Sequence, residues 1–297
     1  MSSKNLVLLK RSPACFNRIT MKGAARNSAA ALLAVSVPAF GQYLGLKPAV
    51  EPPASPIIKP EVRRRISLDP LTLFRNLLST STDDRRSAYR TLRWDQDDAA
   101  SPPTDVRLYA TNLDAGPDLE YVLIVRGQLA TAAAYLFDRD KESWWEVGRF
   151  YCSWHCFADQ AERLIELREI VWYGREDIIV REQAGGTGVA ETTLSIYRMY
   201  EGRLYRIFRM IEDRYDAPPG GSGTVTQRRQ IEFPESDRAS GKFLVVHYRK
   251  LTESDTSGRN GTLRETHSCI VYRWDAARFM FAEDNSAVSK FCAQSAK

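Results

Sequence analysis

The stretch from Glu176 to Asp213, EDIIVREQAGGTGVAETTLSIYRMYEGRLYRIFRMIED, constrains the fold of this chain more than any other. Asp177 to Val180 carries Ile and Val, whose branched side chains suit a pleated, half-buried surface, so it reads as a strand. Ala184 to Glu191 supplies three glycines that take positive φ without steric cost, and the chain reverses there. Leu194, Ile196 and the apolar residues of IYRMY then alternate with Ser195 and Arg198 until Glu201-Gly202, a two-residue turn, after which RLYRIF resumes the period of two. Three antiparallel strands are the expectation.

The signature recurs on either side. Upstream, DLEYVLIV (118–125) leads to AAAYLFD (132–138) and WWEVGRF (144–150); downstream, KFLVVHY (242–248) leads to CIVYRWD (269–275) and RFMFAED (278–284). Tyr135, Tyr197 and Tyr272 hold equivalent places in the middle strands. The fold expected is therefore mainly β, with three antiparallel β-meander repeats in a partial or open propeller-like arrangement, since a closed propeller needs four or more blades. The alternative is a single twisted antiparallel sheet of α+β type. Asp69-Pro70 before LTLFRNLL, and Thr82 before Asp83-Asp84, are helix starts, with apolar faces at Leu71, Phe74, Leu77 and Leu78 and at Ala88, Tyr89 and Leu92. They predict a short N-terminal helical cap.

Charge excludes one class of partner. The formal net charge is +5, but six of the 42 basic residues and none of the 37 acidic ones lie in 1–41, so the remainder carries 36 basic against 37 acidic side chains. Nothing there favours nucleic acid. Residues 1–41 read as a signal peptide, with Met21 an alternative start: Lys22 and Arg26 precede the apolar run AAALLAVSVPAF, and Ala39 and Gly41 stand before Gln42. A secreted or periplasmic protein is expected, without a transmembrane segment in the mature chain. Residues 42–66, rich in proline, read as a linker, 67–104 as the two-helix cap and 105–297 as the β-repeat domain. The polar stretches 216–226 and 251–261 read as a connector and a hairpin loop.

Past the leader, four cysteines predict disulfides in an oxidising compartment, Cys152 with Cys156 and Cys269 with Cys292 on sequence proximity. The alternative is a metal site drawing on Cys152, His155, Cys156, His267 and Cys269. Gly185-Gly186-Thr187-Gly188 lacks the lysine and helix of a phosphate loop and reads as a turn. The stretch VRLYATNLDAGPDLEYVLIV, a strand, an Asn/Asp-rich turn and a second strand, resembles the FG-GAP or VCBS repeat of integrin-type β-propellers. The resemblance implies calcium ligands at Asn112, Asp114, Asp118 and Glu120, although Gly116 and Pro117 stand where the family has another acid. The alternative is a turn in which Asn112 and Asp114 cap local amides.

No acid, base and nucleophile stand in a recognisable spacing. The expectation is an exported non-catalytic binding or scaffold module, its partner a protein or a glycan, without a cofactor unless calcium binds. The alternative is an exported hydrolase whose site is assembled from scattered residues such as Asp114, Glu191 and His267. Trp144, Trp145, Trp172 and Trp274 are expected to pack in the interior, with an exposed glycan platform as the other reading.

Overall fold

Strands of alternating or wholly apolar character must bury one face or both, and this chain does so by stacking two antiparallel sheets under a pair of helices. The computed structural model describes residues 7–8, 18–20, 63–94, 101–114, 116–127, 131–152, 164–186, 188–217, 224–234, 242–254 and 262–292. The first sheet has the order β1 (Val7–Leu8), β2 (Arg18–Thr20), β4 (Asp105–Thr111), β5 (Glu120–Arg126), β6 (Ala132–Asp140), β7 (Ser143–Cys152), β3 (Arg64–Ile66). The second runs β15 (Met280–Glu283), β14 (Thr262–Asp275), β13 (Phe243–Ser254), β12 (Thr224–Glu232), β11 (Arg203–Asp216), β10 (Val189–Tyr200), β9 (Asp177–Gly186), β8 (Ile165–Arg168). The chain is thus mainly β and open-sheeted, with the expected helical cap.

Period-two alternation decides which layer each side chain joins. In β5 and β6, Leu123, Val125, Ala133, Tyr135 and Phe137 face the helices α1 (Pro70–Leu78) and α2 (Thr82–Leu92). Val122, Ile124, Ala134 and Leu136 point the other way, onto Ile178, Val180, Tyr197, Met199 and Leu204 of the second sheet. The opposite face of that sheet buries Ile179, Leu194, Ile196, Tyr205, Ile207 and Phe208 with Leu244, Val246, Phe279 and Phe281, so the sheet folds over a second interior. Ile207 and Phe208 reach the same side although adjacent, because the register slips by one residue between Ile196↔Phe208 and Tyr197↔Arg206. A fourth, smaller cluster of Phe243, Val245 and Val271 lies under α3 (Val288–Phe291).

The helices start where the sequence places them. Asp69 accepts from the Thr72 backbone N–H at 2.9 Å, and Pro70 occupies the first turn. The second helix begins on Ser81, whose hydroxyl accepts from Asp84. The face of α1 differs from expectation: Pro70, Leu73, Phe74 and Leu77 are buried while Leu71 is exposed, since Leu73 sits one turn before Leu77 under the bundle.

Several boundaries shift. Arg64–Ile66, placed in the linker by its prolines, is a strand that pairs with Trp144–Glu146 of β7. Arg18–Thr20 pairs with Arg107–Tyr109 of β4, inside the stretch read as a leader. The glycine turn is narrow: Gly185 and Gly186 belong to β9, and Gly188, with φ +80°, makes the reversal. β11 runs to Asp216, and β12, a strand the sequence did not announce, begins at Thr224 inside the stretch read as a connector and pairs with β11; β13 continues into the expected loop as far as Ser254, and β14 begins at Thr262. As a result the second and third strand groups form one continuous sheet. Leu123 packs under the helices, Ile178 between the sheets and Val245 under α3, so the three strands do not share one environment.

Cys269 and Cys292 are disulfide-bonded, with Cα atoms 5.9 Å apart, which ties α3 to β14 and removes Cys269 from any thiolate metal site. Cys156 and His155 lie outside the described residues. The four tryptophans named above are all partly buried against the interior clusters. No described helix is long and apolar enough to cross a membrane.

Candidate functional site

Three turns converge at one end of the stacked sheets: the β4–β5 loop, the β6–β7 turn and the β10–β11 turn. Between them is a cavity of about 310 Å³, lined by Asp114, Asp118 and Glu120 from the first, Asp138, Asp140 and Lys141 from the second, and Glu201 and Gly202 from the third, with Arg63 and Arg139 at its margin. Each wall follows from local sequence. The apolar runs of β5, β6, β10 and β11 fix the strands, and the polar residues between them are left at the mouth.

Glu120 is the deepest of these groups, 2% exposed at the start of β5. It accepts from the Leu113 backbone N–H at 2.6 Å. Burial, then the nearby Asp114 and Asp138 carboxylates, push its pKa up to about 8. Burial and Asp114 likewise raise Asp138 to about 6, against the pull of Arg63. Arg63 also stands 3.7 Å from Asp140 and 5.3 Å from the Trp145 ring, and with Arg139 and Lys141 it makes three cations against six carboxylates in the lining. The interior of the cavity is therefore acidic and short of counter-charge.

Of the proposed calcium ligands, the structure brings Asp114, Asp118 and Glu120 to this cavity and not Asn112. The Asn112 carbonyl accepts from the Glu176 N–H at 2.8 Å, and its side-chain oxygen is buried without a described partner. Asp114 accepts from the Gly116 N–H, as the capping alternative expects, whereas the Asn112 side-chain oxygen caps no described amide. Among the described residues no three His, Cys, Asp or Glu side chains stand close enough to hold a metal ion. Beside the loop, Thr111 donates to Glu176, whose pKa burial raises to about 7.

The residues of the scattered hydrolase site do not meet. Asp114 lies at the cavity, whereas Glu191 is on β10 beside Arg214 at 3.6 Å and His267 is on β14 beside Glu265 at 2.9 Å, with β11, β12 and β13 between them. His247 stands 3.4 Å from Glu232 on yet another strand pair.

Sequence reasoning passed over Asp138, Asp140, Lys141 and Glu201, which the fold adds to the site. One signal was available. Lys141 and Glu201 hold φ of 58° and 50° in two-residue turns, positions where Asn or Gly is the ordinary choice. Charged residues there place their side chains at the mouth at some cost to the turn.

Searches against protein-family models, curated proteins and solved structures return no match.

Proposed function

We propose that the chain is an exported, non-catalytic binding module whose cavity accepts a cationic group, an ammonium or guanidinium presented by a protein side chain or an amino sugar. The observation that carries this reading is Glu120: a carboxyl 2% exposed, facing two further carboxylates across about 310 Å³ of open space. Such a group gains most from a cation that offsets its lost hydration. The disulfide and the absence of a membrane-crossing helix among the described residues support export, and the resemblance of 112–125 to propeller repeats supports binding at that loop.

Titration calorimetry with Nα-acetyl-lysine amide and glucosamine, each against its N-acetylated neutral form, tests it. Binding is expected for the cationic members alone; for the lysine amide, whose ammonium stays charged throughout, it is stronger at pH 8.5 than at pH 5.5 because Glu120 and Asp138 ionise between, and that rise is smaller in Glu120→Gln, where only Asp138 still ionises. Equal affinity for the neutral forms sinks the reading. A second reading, hydrolysis, draws on the same pair: a carboxyl protonated to about pH 8 beside one ionised above about 6 is the division of labour of a general acid and base. Turnover of a chromogenic glycoside or ester, lost in Glu120→Gln, would favour it.

A further inference from the structure

The second sheet extends beyond the sandwich as a ribbon of long strands, and its outermost member is incompletely paired. β14 bonds to β13 along its whole length, but β15 covers only Tyr272–Asp275. Among the described residues no strand lies beyond Thr262–Ile270, and the side chains from Leu263 to Ser268 are all exposed. Leu263 is 67% exposed, an unusual position for a leucine on a regular strand. A regular edge of this length is a template for another strand.

We infer that this edge joins a second copy of the chain, antiparallel and centred on Thr266. A two-fold axis perpendicular to the sheet keeps every side chain on its own face, so a residue can stand opposite itself or opposite one an even number of positions away. That limits the registers. Centring on Arg264 or Glu265 sets like charges against each other, and centring on His267 sets it against itself with Glu265 against Cys269. A centre at Leu263 pairs only the tip, and a centre at Ser268 runs Arg264 into Tyr272, which β15 already holds.

Thr266 remains. With threonine on the axis, each Glu265 stands opposite the His267 of the other copy, and Arg264 opposite Ser268. Within each copy Glu265 already meets Arg249 and His267, so the junction joins two such groups into a row of alternating charge. The same register sets Leu263 opposite Cys269, whose face carries the disulfide and the apolar edge of α3 formed by Phe291 and Val288. The exposed leucine acquires a cover there. Charge and apolar matching select one register independently.

Sedimentation velocity of the full, disulfide-intact chain through the micromolar range tests the pairing. A dimer is expected for the wild type, a monomer for His267→Glu, which sets glutamates opposite each other at both ends, and a dimer again for the exchanged pair Glu265→His/His267→Glu. His267 is 68% exposed on its side chain, so the single variant keeps its fold, checked by far-ultraviolet circular dichroism. Thr266→Cys is expected to cross-link through position 266 on mild oxidation. A wild-type monomer throughout, a dimer indifferent to His267→Glu, or an exchanged pair that stays monomeric each overturns the inference.

Discussion

Among the described carboxyl groups, Glu120 has its pKa raised furthest, and it ties stability to pH. In the folded chain it keeps its proton to about pH 8, while an unfolded chain releases it near the ordinary 4.5. Its contribution to stability is thus fully present below about 4.5 and is lost as the pH climbs to about 8. Asp138 acts in the same direction between 3.8 and about 6. The loss amounts to roughly a few kcal/mol, at somewhat over 1 kcal/mol for each unit. Glu120→Gln keeps an acceptor for the Leu113 N–H and cannot ionise. Denaturant titrations across this range should find the variant gaining on the wild type as pH rises and overtaking it above about pH 8. Parallel curves would mean that Glu120 is hydrated. A different buried charge, Arg198, is held by Asp177: both bonds between them measure 2.6 Å, and Trp172 lies 4.1 Å from its guanidinium.

At the scale of elements, Gly148 marks a close approach of the two sheets. A Cβ built there would lie 2.4 Å from Leu204 Cδ1, so a side chain at that position must displace either the buried Leu204 tip or β7 itself. Gly148→Val should cost about 1–3 kcal/mol by forcing that displacement, measured by urea denaturation, and Leu204→Ala in the same chain should recover part of the loss. Additive losses would place the strain elsewhere. This contact was not legible in the sequence, where Gly148 is one small residue in a strand. The hairpins were legible because DLEYVLIV, AAAYLFD and KFLVVHY carry an apolar face for burial. β12, TVTQRRQIE, carries only a sparse one, its half-buried side being mostly polar with Ile231 packed on an interior cluster, and ladder bonds and pairs such as Arg228 with Asp213 at 3.1 Å help to hold it. The cavity was half legible. Asp114, Asp118 and Glu120 drew notice as neighbours in one loop, but Asp138 reaches them only through the pairing of β6 with β5, as Asp177 reaches Arg198 across β9 and β10, and Glu201 only through the stacking of the sheets.

For the molecule as a whole, the disulfide fixes the C-terminal end. Cys269 and Cys292 are 23 positions apart, and closing a loop of that size stabilises by about 3 kcal/mol. The double replacement Cys269→Ser/Cys292→Ser should lower stability by about that amount, and reductant should bring the wild type down to the variant in the same denaturation assay while leaving the variant unmoved. If reductant acts equally on both, another thiol is responsible. The larger organisation comes from β9, β10 and β11, whose alternate residues wall two interiors at once, Ile178 and Met199 on one side, Ile179 and Ile196 on the other. A chain severed before β12 would leave either fragment with an uncovered greasy flank, so neither is a viable piece. The partition that evolution usually exploits, shuffling one half onto a new neighbour, is closed to this fold; change is freest in the outer ribbon, where strands can lengthen without disturbing either interior.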